Sequence, residues 1–274
     1  MFKIKDKNKR YEDKWFKSFE DNWASILGGN ALLLPFSVPL IAWLVICQCY
    51  SALLSGAAHA LGGSVVLTFL GILPCAEIYA VGLSGAVWLD KCILFDGNSG
   101  VLKRFGEGIR KNAPKYMLFT LIAWLSSALA VITPFSYVYI GNGWLLGAGI
   151  VVGAFQALVL IPVCCLAMIE CVFYDDPVIK HLSNAFKLYF IRPLRTAGVT
   201  ALCALPFVIC TLLPFIWQLA CWVIYSVAGV SFGIIFRLVR GKNFFDFVIS
   251  KAEKAVNRNG NDIKLKTVRR KDDV

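Results

Sequence analysis

Glu77 lies near the middle of the run Leu67–Leu89, which holds no lysine or arginine and is long enough to cross a bilayer. A carboxylate at that depth is costly, so it must face protein or water. No lysine or arginine lies at comparable depth in any apolar stretch, so an ion pair is not on offer. Two chemistries remain. The acid is protonated and hydrogen-bonded to a neighbouring helix, or it lines a polar cavity and binds a cation or solute. Asn30, Gln48 and Gln156 sit in other apolar stretches and are the candidate partners of this intramembrane polar site. A second group of acids, Glu170, Asp175 and Asp176, falls beside the basic residues that follow the fourth apolar stretch. Local charge balance accounts for them; a metal site there would lack histidine support. His59 and His181 fall on opposite sides of the expected membrane and read as solvated. The ten cysteines lie in or beside apolar stretches and read as small buried hydrophobes, not as disulfides or zinc ligands.

Catalytic motifs are missing. There is no Walker A sequence, no HExxH and no GxSxG. The chain therefore reads as a non-enzyme that needs no cofactor or metal. The net charge of +11 has no recognition motif beside it, so nucleic acid is not an expected partner.

The elements that must position these residues are transmembrane helices. Hydrophobic residues make up 58% of the 274 and charged residues only 16%, too little polar surface for a soluble domain of this size. Six spans are expected, at about 25–53, 64–89, 116–134, 144–173, 196–213 and 215–238. The last two form one apolar run, and a single helix of about 43 residues would reach ~65 Å, twice a bilayer core. The run must therefore fold back, and "LLPF" at Leu212–Phe215 supplies the break. Lys and Arg number seven before the first span, six between the second and third, four between the fourth and fifth, and eleven from Arg237 onward, which is all 28 in the chain. By the positive-inside rule both termini are cytoplasmic, and the basic side faces an anionic inner leaflet.

The basic segments share a form. "WFKSFEDNWASIL", "VLKRFGEGIRKNAPKYML", "VIKHLSNAFKLYFIRPL" and "KNFFDFVISKAEKAV" each mix aromatic and aliphatic residues with cations. Trp15, Phe16 and Phe19, and again Phe186 and Phe190, fall at helical spacing, which predicts short amphipathic elbow helices in the interface. The fold class is thus all-α: a polytopic membrane protein with six transmembrane helices as three hairpins with cytoplasmic elbows. Residues 1–256 form one helical membrane domain with an N-terminal amphipathic segment at about 11–23. Residues 257–274 form a polar tail expected to be disordered. Ala76, Ala80 and Ser84 make a small-residue face beside Glu77 that permits close helix packing.

Three segments carry a resemblance to a known family. "GGNALLLPFSVPL" at Gly28–Leu40, "AVGLSGAVWLDKCILFDGNSGVLKRFGEGIRKNAPKYM" and "HLSNAFKLYFIRPLRT" are similar to the YesL-like family of bacterial membrane proteins. The matching positions are Asn30, Pro39, Gly82, Phe105 and Asn112. That family has no established activity and is associated with carbohydrate-utilisation loci in Gram-positive bacteria, sometimes beside uptake systems. The resemblance implies the bacterial cell membrane and an accessory or scaffold role, with an ABC-type uptake system or another membrane protein as partner. The alternative from the residues is a transporter or permease component with a solute or cation path near Glu77.

Overall fold

The structure is a computed structural model of the chain and describes residues 4–53, 58–97, 100–213 and 215–258. Among the described residues it is helical, with no strand. The helices are α1 (Ile4–Leu53), α2 (Ala58–Lys91), α3 (Val101–Ile140), α4 (Gly143–Phe155), α5 (Ile161–Phe173), α6 (Val178–Ile191), α7 (Pro193–Leu212), α8 (Phe215–Ile224) and α9 (Val230–Arg258). A single π turn, Gln156–Leu160, joins α4 to α5, and another, Tyr225–Gly229, joins α8 to α9; a third, Cys92–Asp96, ends α2. Four stretches are long and apolar enough to cross a membrane: Glu20–Tyr50, Leu67–Asp96, Val101–Thr133 and Gly143–Phe173. They overlap the first four expected spans, the third beginning at Val101 where the expected span begins near 116. The last two expected spans are also helical, as α7 and as the run from Phe215 onward. The break between them falls at "LLPF". Leu213 is extended (φ −77, ψ 154), the conformation that a following proline imposes.

The elbows differ from expectation. Only α6 is a separate short helix. The N-terminal segment is part of α1 and is set off by a break at Asn22 (φ −124, ψ 18). The segments after Val101 and Lys242 continue without interruption into α3 and α9. Phe105, Ala113 and Tyr116 are buried, as are Phe244 and Phe245, so these stretches pack on protein over one face and have no need to bend away. The side chains of Trp15, Phe16, Phe19 and His59 lie outside the described residues. So does most of the expected tail, since α9 still includes Asn257 and Arg258.

Sequential helices are neighbours: α1 packs on α2, α2 on α3, α3 on α4, and α5 on α6. α9 returns to pack on α1, α2 and α5. The α2–α3 crossing depends on two facing glycines. A Cβ on Gly108 would stand 3.0 Å from the Gly85 Cα and 3.0 Å from the Ser84 carbonyl oxygen, and one on Gly85 would stand 2.9 Å from the Phe105 carbonyl oxygen. Backbone meets backbone there, which only small residues allow.

The core gathers at the basic ends of the helices. It contains Trp88–Leu94 of α2 and its π turn, Phe105, Tyr116 and Phe119 of α3, Val163–Val172 of α5, Ala185 and Tyr189 of α6, and Ile234–Phe245 of α9. An aromatic cluster closes it. Phe173 meets Phe95 and Phe245 edge-on, and Lys242 sits 4.1 Å from the Phe95 ring centroid. The cysteines divide: Cys92, Cys164 and Cys171 are buried, whereas Cys49 is exposed.

Candidate functional site

Three buried polar groups meet where α1, α2 and α9 converge. The Ser231 hydroxyl donates to Asn30 Oδ1 at 2.6 Å, and the Asp90 carboxyl lies beside Ser231. All three are essentially inaccessible to solvent. The tie joins residues 201 positions apart and fastens α9 to α1. A second buried group lies between α5 and α6. Glu170 Oε1 accepts from Asn184 Nδ2 at 2.9 Å and stands 3.5 Å from His181 Nδ1. His181, read as solvated from the sequence, is fully buried. It falls on the inward face of the amphipathic α6 with Ala185 and Tyr189, at four-residue spacing.

The candidate intramembrane residues do not form one hydrogen-bonded site. Asn30 is committed to Ser231. Gln156 is buried and donates to the Ser127 hydroxyl of α3. Gln48 is exposed. Glu77 is half-buried, and its Oε2 has no hydrogen-bond partner among the described residues. The cross-helix tie expected of Glu77 is therefore not formed there. Its expected small-residue face is buried at Ala80 and Ser84, against α1 and α3.

The three acids near the end of α5 also separate. Glu170 points inward and is buried. Asp175 is exposed, 3.6 Å from Lys115 Nζ, and Asp176 pairs with Lys180 at 2.5 Å. Lys115 also donates to the Asp176 carbonyl at 2.8 Å. These pairs pin the α5–α6 corner to α3. Among the described residues, no three of His, Cys, Asp and Glu gather as a metal site would require.

A cavity of about 240 Å³ opens between α1, α2, α7 and the α8–α9 turn. Its polar lining is Ser37, Tyr79, Tyr225, Ser226 and Arg237, and Glu77 is not part of it. Arg237 Nε is buried and has no hydrogen-bond partner among the described residues. The arrangement holds helices together through buried polar pairs, and it leaves Arg237 facing this internal space.

Sequence reasoning missed Asp90, Ser231, Asn184 and Arg237. Asp90 adjoins Lys91 and reads as the start of a basic connector, yet α2 keeps its helix through both and buries them. Asn184 could have been found from the inward stripe of α6. Ser231 had no local signal.

No family model, no curated protein and no solved structure matches the chain.

Proposed function

We propose that the chain is an accessory or scaffold component of a bacterial cell membrane. It has six spans as three hairpins, both termini cytoplasmic, and carbohydrate uptake or the cell envelope as its setting. One observation carries this reading. The buried hydrophobic core gathers at the basic end, while the charge-free half of the helices also leaves large apolar side chains uncovered. Val38, Ile46, Leu70, Ile132, Ile150, Leu205 and Trp217 are all exposed. A bundle whose core is concentrated at one end, with only scattered ties such as Trp43 to Thr68 and Trp124 to Phe69 in the other half, presents apolar side chains to lipid or to another membrane protein. The similarity to the YesL-like family supports the uptake setting and an ABC-type partner. Affinity purification of the tagged protein in mild detergent tests the reading: stoichiometric subunits of an uptake system should come with it. A protein isolated alone that moves a solute into liposomes would contradict it.

The second reading is a transporter or permease component, and the unpartnered Oε2 of Glu77 favours it. On that reading Glu77→Gln folds normally and abolishes uptake. The cavity lining weighs against a path at Glu77, because the nearest residues of α2 that face the space are Tyr79 and Leu83.

A further inference from the structure

Four arginines line one small cavity at the corner between α6 and α7. Arg192 occupies the corner, Arg195 lies in the first turn of α7, and Arg237 and Arg240 come from α9. The space measures about 50 Å³, and Leu166 and Phe244 form part of its apolar wall. Among the described residues, no carboxylate lies within ion-pairing distance of any of the four. Two are steadied by rings instead: Arg192 lies 4.3 Å from the Phe247 centroid and Arg240 lies 5.4 Å from that of Phe236. Ring faces orient a guanidinium and leave its charge in place. The buried Nε of Arg237 has no partner among the described residues, and the rest of its guanidinium meets only the Cys203 thiol. Partial desolvation, and then the charges of Arg240 and Arg192, push the exposed Arg195 below its ordinary pKa.

Basic residues at the cytoplasmic end of a membrane protein need no ligand when they are scattered and solvated. These four are not scattered. They converge from two helices and a corner on one concavity, and Arg192 and Arg240 both repel Arg195, a repulsion that an anion would relieve. α7 begins at the same place with Pro193, directly after the end of α6 at Arg192. The guanidinium fork matches a phosphate better than it matches a point charge. The apolar wall beside it suits a phosphate carried on an organic group. Arg237 also lines the larger cavity of about 240 Å³, so its guanidinium stands between the two spaces.

We propose that Arg192, Arg195, Arg237 and Arg240 form a binding site for a phosphate-bearing anion. A phospholipid headgroup and a soluble phosphorylated compound share this chemistry. The test uses the full chain purified in neutral detergent, with phosphatidic acid, phosphatidylcholine and inorganic phosphate as probes. Phosphatidic acid should raise the melting temperature at concentrations where phosphatidylcholine does not. Arg195 and Arg240 are exposed, so replacing them spares the core. Arg195→Gln with Arg240→Gln should weaken the response to phosphatidic acid about tenfold or more, the scale of one lost charge-assisted bond. Lys103→Gln with Lys187→Gln removes two exposed charges outside the cavity and should leave the response unchanged. If the first double variant fails to fold, Arg240→Gln alone is read the same way. Displacement of phosphatidic acid by inorganic phosphate would assign the site to soluble phosphates; failure to displace it would assign the site to the lipid. Equal weakening by the arginine and lysine pairs would overturn the proposal in favour of diffuse surface charge. So would a parent protein that does not distinguish phosphatidic acid from phosphatidylcholine and ignores phosphate.

Discussion

Pro162 has no N–H to offer the carbonyl of Leu158 four residues earlier, and in an apolar setting that oxygen needs another donor. Tyr189 of α6 supplies it, with its hydroxyl 2.5 Å from the Leu158 oxygen. The pairing ties α6 to the π turn before α5 and lets a proline sit in a long apolar rod. Tyr189→Phe should cost ~1 kcal/mol of stability in detergent, the scale of one hydrogen bond in a membrane protein. In a Pro162→Ala background the same substitution should cost clearly less, because the restored N–H can satisfy Leu158. An equal cost in both backgrounds would show that the two residues do not share that carbonyl. Proline in a span is plain in the sequence, and so is the need for a substitute donor. Which side chain meets the need was not legible, because Tyr189 lies 31 residues from Leu158 and nothing local marks the pair. Asn30 and Gln156 show the same limit. Both read from the sequence as candidate partners of Glu77, yet they bond Ser231 and Ser127, common residues with no distinguishing context.

At the scale of elements, the contact between α2 and α3 is set by Gly85 and Gly108, where a Cβ would meet backbone. Backbone cannot turn aside as a flexible side chain can, so the helices would have to separate. Gly108→Ala should therefore destabilise by about 1–3 kcal/mol, the usual cost of overpacking, even though alanine is the better helix former. Gly106→Ala, where an added Cβ meets nothing within 4 Å, is the control and should be neutral or slightly stabilising. A melting temperature for Gly108→Ala equal to that of Gly106→Ala would remove the close crossing. The small-residue face of α2 was legible from its four-residue spacing, since Ala80 and Ser84 are buried where that face predicts. The glycine on the facing helix was not, because "FGEGIRKN" reads as an exposed basic segment until its buried side is seen. The break at "LLPF" was legible because length alone forbids one helix. The elbows were legible only in part. Amphipathic spacing fits a free interfacial helix such as α6, and it fits equally well the exposed face of a longer helix such as α3 or α9.

For the whole molecule, charge and burial divide along one axis. All 28 lysines and arginines fall in four segments, and the buried core gathers where those segments adjoin the helices. The apolar composition and the helical class followed directly from residue counts, because length and hydropathy need no knowledge of contacts. The position of the core did not, since every span is apolar along its length and only packing decides which half is covered. The central claim is that the apolar segments cross a membrane six times with every basic segment on one side. A phosphatase reporter, active only outside the cytoplasm, tests it most directly when fused after Gly141, after Leu213 and at Val274. The account predicts activity at Gly141 and at Leu213 and none at Val274. Silence at Leu213, with activity kept at Gly141, would show that α7 does not cross, and activity at Val274 would place the basic face outside; either result contradicts the account.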